Sequence, residues 1–213
     1  MKTSVIAAIL CSFFVFSHTA QAGAKTVILL NTDKYKNEIH FLSSAPLEKI
    51  SGTAANITGS FSIDLQNLAA TNGKFNVPVN SMSTGSSSRD SHMMAAEWLD
   101  EEHFKNITFS LKSLVVSNTD NSVAGRTVIT AIAKGDFTLH GITLPMDAKV
   151  VITYLSESTQ THQIAAGDLA LVKVEFSVPL KGHNILGKGG VVGSKVDENI
   201  AITAQIFGST ASH

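Results

Sequence analysis

Residues 81–109 read SMSTGSSSRDSHMMAAEWLDEEHFKNITF, the one stretch of the chain that does not read as strand. A serine-, threonine- and glycine-rich run leads into Arg89, Asp90 and His92. Met94 and Trp98 then stand four apart, as do Ala95 and Leu99, which predicts a shared helical face. Ser88 or Asp90 is placed to cap such a helix, since a short oxygen-bearing side chain accepts from the first-turn amides. A helix of about ten residues is marginal alone in water, so it must lie on apolar surface.

Outward from this segment the chain alternates with period two, the signature of half-buried strands. Strands are expected at 26–31, 38–43, 53–65 and 74–79 before it, and after it from 107, over 123–139, 143–155 and 169–180, and at 200–206. Phe61, Ile63 and Leu65 face one way, as do Phe75, Val77 and Val79; Pro78 on the opposite face predicts an edge or a bulge. Turns are expected at Asn118–Asn121 and His140–Gly141, a bend at Gly135, and loops at 160–167 and 182–190. About eight to ten strands joined by hairpins, with one short helix and no βαβ unit, make an all-β antiparallel barrel or sandwich. A barrel of about eight strands is either filled by its own side chains or holds one small ligand, and the pattern leaves both open.

The serine-rich turn followed by RDSHM, the WLD triplet and HFKNITF resembles the signature of the YceI-like family. GDFTLHGITLPM at 135–146 is similar to the family's second motif, and the likeness spans roughly residues 35–208. Those are secreted bacterial lipocalin-like proteins that hold an isoprenoid or other long apolar molecule in an extended antiparallel barrel. The resemblance therefore implies a hollow, lipocalin-like barrel of about eight strands, and a possible homodimer. It implies that part of the set Phe61, Phe75, Met82, Met93, Met94, Trp98, Phe104, Phe109, Phe137 and Phe176 lines an apolar tunnel. Met93, Met94 and Trp98 would stand near one end. Without the resemblance, the same residues read as ordinary core, with methionine filling irregular gaps.

Other chemistry is thinly signalled. His92 and His103 lie among Asp90, Asp100, Glu101 and Glu102, types that ligate metals, but no HxH, HExxH or CxxCH pairing fixes them at close quarters. A metal- or haem-linked redox or stress protein using His92, His103 or His140 is the rival reading. Arg89, Asp90 and His92 read as a structural motif, with Arg89 donating to carbonyls of the serine-rich turn and Asp90 accepting from helix amides. No G-x-S-x-G elbow is present, and the 182–193 loop lacks the end of a phosphate-binding loop. No catalytic residue and no cofactor is expected beyond a bound lipid.

Residues 1–22 read as an export signal: Lys2, an apolar run from Val5 to Phe16, and Ala20-Gln21-Ala22 before the cut. The run is shorter than the about 20 residues that span a membrane. Residues 23–213 then form one domain, expected in the periplasm. The single cysteine, Cys11, leaves with the signal, so no disulfide is expected. The net charge of −1 carries no basic cluster for nucleic acid. The expectation is an exported, non-enzymatic binder or carrier of a long apolar molecule, isoprenoid or fatty-acid-like, with a stress-related role as one setting.

Overall fold

The computed structural model describes residues 23–29, 35 and 37–211. The export signal, Cys11 and the end of the strand expected at 26–31 lie outside the described residues. Eleven strands form one antiparallel sheet: β1 (Lys25–Leu29), β2 (Glu38–Ser44), β3 (Lys49–Ala54), β4 (Thr58–Ile63), β5 (Asn72–Pro78), β6 (Met82–Ser83), β7 (Asn106–Asp120), β8 (Arg126–Leu139), β9 (Ile142–Leu155), β10 (Leu169–Pro179) and β11 (Asn199–Ser209). Eight of them close in the order β1-β4-β5-β7-β8-β9-β10-β11, with β1 returning to β11 through Ile28 opposite Ser209. The other half of β11, Ala201 to Gln205, pairs instead with β2, and β3 and β6 continue outward from there. The wall is therefore completed by β1 at one end and by β2, β3 and β6 at the other.

Alternation makes the wall two-faced. In β8 the residues Ile129, Ala131, Ala133, Phe137 and Leu139 are buried, and in β9 Met146, Ala148, Val150, Ile152 and Tyr154. The β8–β9 turn closes between Leu139 and Ile142, with His140 and Gly141 at φ 51° and 73°. Two positive φ values make the hairpin turn whose twist suits the flanking strands.

Several expectations are corrected. The segment 53–65 is two strands, broken where Asn56 takes φ 54°. Asn and Asp reach this left-handed region more readily than other side chains because they bond locally. β7 runs through Asn118 to Asp120, and the turn follows at 121–125, started by Ser122 N–H donating to Asp120 Oδ1 at 2.9 Å. β8 runs unbroken through Gly135, and the irregularity is in its partner, between Leu111 and Ser113 of β7. Pro78 is neither edge nor bulge but the last residue of β5, opposite Asn106.

The short helix stands in the expected segment, and the largest correction is where it ends. α1 spans Ser87–Met94, is preceded by Ser86 as N-cap, and buries none of its residues. Ala95 is extended at ψ 164°, so Met94 and Trp98 share no helical face. Three of the eight helical residues are serine, a poor helix former, and no apolar stripe compensates. The chain folds back instead, with Leu99 N–H donating to Met93 O and Glu101 N–H to Met94 O. That reversal delivers Leu99, only 7% exposed, to the end of the barrel, where a continued helix would carry it away. A second short helix, α2 (Thr159–His162), lies in the β9–β10 connection.

Candidate ligand-binding site

The barrel is not filled. Its middle holds a cavity of about 160 Å³ walled by side chains of β2 to β5 and β6 to β11. The hollow arises where the inward residues are small: Ala133 and Ala148 face each other in register on β8 and β9, and Ala54 and Ala204 join the wall from β3 and β11. Aromatic rings complete it. Phe61, Phe75 and Phe109 stand on the adjacent strands β4, β5 and β7 with centroids 6.4 and 6.5 Å apart. Phe137 meets Phe176 edge-on at 5.6 Å. No charged side chain lines this chamber, and its one polar residue is Thr108.

A wider chamber of about 870 Å³ opens at the end built by β2, β3, β6, α1 and the β10–β11 loop. Phe41, Met82, Ile107, Phe137 and Ile202 line both chambers and stand at the neck where the two adjoin. The opposite end is closed by packing and by a polar cluster. Tyr154, Ile63, Ile129, Leu169 and Val27 are all under 2% exposed there. Asp168 accepts from Lys25 Nζ, from Tyr154 OH at 2.7 Å and from the Glu157 amide at 2.8 Å. Burial raises the Asp168 carboxyl, but these three donors outweigh it and leave its pKa below the ordinary carboxylate value. Burial, and then the bond to Asp168, pushes the Tyr154 hydroxyl up. The inner chamber thus lies between this packed end and the outer chamber, which opens at the mouth.

The residues named from sequence divide by position. Phe61, Phe75, Met82, Phe109, Phe137 and Phe176 line the inner chamber, while Met93 and Trp98 line the outer one with Met82 and Phe137. Met94 and Phe104 line neither. Met94 is the last helical residue and packs on the apolar cluster at the mouth end that includes Val79, Leu99, Leu139 and Leu180. Phe104 lies edge-on to the His140 ring at 4.8 Å, against the β8–β9 turn. Sequence reasoning missed Phe41, Ile107 and Ile202 at the neck. Alternation of Ile39, Phe41 and Ser43 in β2 is the signal that would have marked the first.

The structural motif is held differently from expectation. Asp90 accepts not from helix amides but from Ser83 Oγ at 2.7 Å, Thr84 N–H at 2.7 Å and Thr84 Oγ1 at 2.6 Å. Those bonds, those of Thr84 foremost, hold the Asp90 carboxyl below its ordinary pKa. Arg89 donates to Thr84 Oγ1 and to Glu48 Oε1, both at 3.2 Å, and reaches no carbonyl of the turn. Together they tie α1 to β6 and to the β2–β3 hairpin at the mouth. His92 is exposed on the outer chamber's wall. His103 bonds Asp100 at 2.8 Å, which raises its pKa, and His140 bonds His183 O at 3.1 Å. Each histidine thus has its own surroundings, and among the described residues no three His, Cys, Asp or Glu side chains are grouped to share a metal ion.

Comparison with known proteins agrees with this architecture. The YceI-like domain model matches residues 30–207. A UPF0312 protein of Vibrio vulnificus is 25% identical over 185 residues, covering 85% of this chain and 92% of that protein. Among solved structures, BcnA of Burkholderia cenocepacia superposes with a TM-score of 0.61 at 12% identity, over 80% of this chain and 95% of that one. A polyisoprenoid binding domain from Saccharophagus degradans superposes with a TM-score of 0.60 at 12% identity, over 88% and 99%. At these identities the superpositions establish a shared fold, and the domain match covers nearly the whole of the barrel. The chain belongs to the YceI-like family.

Proposed function

We propose that the protein is an exported, non-enzymatic binder that carries one long apolar molecule, isoprenoid or fatty-acid-like, in the periplasm. The carrying observation is the pair of adjoining apolar chambers: an inner one without a charged group and, sharing five wall residues with it, an outer one open at the mouth. Burial supplies the affinity, at about 25 cal/mol per Å² of apolar surface removed from water. Left empty, a void of about 160 Å³ costs about 4 kcal/mol at 24 cal/mol per Å³. An occupant removes that penalty, so the hollow is better explained by cargo than by stability. A flexible chain fits a narrow tunnel better than a broad ring system does. The polyisoprenoid binding reported for the Saccharophagus domain supports the isoprenoid class. The test is mass spectrometry of the organic extract of purified, untagged protein. A stoichiometric long-chain lipid is expected; an extract without lipid, from protein that also takes up none when offered a polyprenol, overturns the reading.

A further inference from the structure

The β10–β11 loop forms one side of the mouth. Residues 182–196, GHNILGKGGVVGSKV, include Lys188 and Lys195 and no aspartate or glutamate; Asp197 and Glu198 follow at the loop's end, where Glu198 pairs with Lys181 and Asp197 accepts from the Asn199 amide. Ile185 and Val192 anchor the loop, at 1% and 7% exposed, while Leu186 between them stands out at 52%. The tight path depends on Gly187, at φ 71°, where a Cβ would stand 2.7 Å from the Trp98 ring. The tip of the β2–β3 hairpin lies against this loop, with Leu47 N–H donating to Ser194 O at 3.4 Å. Leu47 is 74% exposed, the most exposed large apolar side chain among the described residues. Two leucines on touching loops thus project from the rim of an apolar tunnel, beside two lysines that also line it. Of the carboxylates lining the mouth, Glu48 is paired with Arg89, which leaves Glu97.

We propose that this rim docks on the surface of an anionic phospholipid bilayer, with Leu47 and Leu186 inserted among the headgroups and Lys188 and Lys195 facing the phosphates. Two side chains are too small a patch for a stable protein interface, which takes about 800 Å² per partner. They suit shallow insertion, whose strength adds apolar burial to attraction by anionic lipid. Each lysine near such a surface adds about fivefold to partitioning, and salt screens that part. No helix among the described residues is long and apolar enough to cross a membrane. The purpose of docking rests on the carrier reading: a chain passing from bilayer to seated tunnel avoids water.

Sedimentation of the purified protein with phosphatidylcholine vesicles, with and without phosphatidylglycerol, tests the docking. The protein should pellet with the phosphatidylglycerol vesicles and be released by high salt. Leu47→Asp with Leu186→Asp should weaken this about tenfold or more, given the apolar surface lost. That variant should keep its melting temperature and its extractable lipid, because neither leucine lines the tunnel. Lys188→Glu with Lys195→Glu should abolish the preference for phosphatidylglycerol. Wild-type protein that ignores both vesicles, or a leucine variant that binds like wild type, overturns docking. So does a leucine variant whose only change is a smaller oligomer on sizing, which would assign the rim to a second copy. The carrier reading stands or falls separately, on the lipid extract.

Discussion

At the scale of the residue, Asp90 and Arg89 are neighbours with different duties. Asp90 satisfies both hydroxyls and one amide at the end of β6, so it fixes where α1 starts. Arg89 reaches Glu48 with 40% of its own side chain exposed, and exposed pairs contribute only about 0.2–1 kcal/mol. Asp90→Ala should therefore accelerate amide exchange across 84–94 while β7 to β10 stay protected. Arg89→Ala should lower stability by less than about 1 kcal/mol in urea denaturation. An Arg89 variant that unfolds far more easily, or an Asp90 variant with unchanged exchange, would show the duties to be reversed. The importance of this motif was legible in the sequence, but its wiring was not. Asp90 reaches back a few residues to a turn whose shape no periodicity encodes, and Glu48 lies 41 residues away.

At the scale of the element, the strands and the presence of one short helix were legible, but the helix's extent and packing were not, for one reason. β8 and β9 each bury one face over 14 residues, so burial and sequence period coincide. α1 buries nothing and is held by side-chain bonds, which leave no period. Gly135 shows the same limit: its position was visible, its role was not. A Cβ there would stand 2.4 Å from Ser110 O and 2.6 Å from the Phe109 ring, so β8 yields space for the bulged β7 and its aromatic. Gly135→Ala should destabilise by about 1–3 kcal/mol, the usual cost of overpacking, and should displace Phe109 within the inner chamber. Urea denaturation checks the first, and a change in retained lipid the second. An unchanged midpoint would mean that β7 shifts freely.

At the scale of the whole molecule, the two ends of the barrel and its hollow middle predict different behaviour. His183, fully buried with Nε2 unpaired, is held neutral mainly by burial, its pKa below the ordinary 6.5. The unfolded chain therefore takes a proton first as pH falls, so His183 stabilises fully above about 6.5 and progressively less below it. Asp168 has a lowered pKa, so its contribution is present above 3.8 and is lost as pH falls through its folded value. From His183 and Asp168, melting temperature should decline below pH 6.5 and fall again in the carboxylate range. His183→Leu should remove the first decline and keep the second; if the first decline persists in that variant, another group causes it. The hollow itself is the feature that sequence encodes least, because small residues announce nothing: Ala133 and Ala148 read as any alanines in a strand. Their pairing across β8 and β9 leaves the space. Ala133→Leu with Ala148→Leu should fill the inner chamber, and each added CH₂ buried without strain returns about 0.8 kcal/mol. In a packed core the same methylenes would cost about 1–3 kcal/mol instead. The double variant should thus melt at or above the wild-type temperature when both are stripped of lipid, and should yield no long-chain lipid on extraction. A variant that melts lower and still extracts lipid would mean that the cargo sits elsewhere.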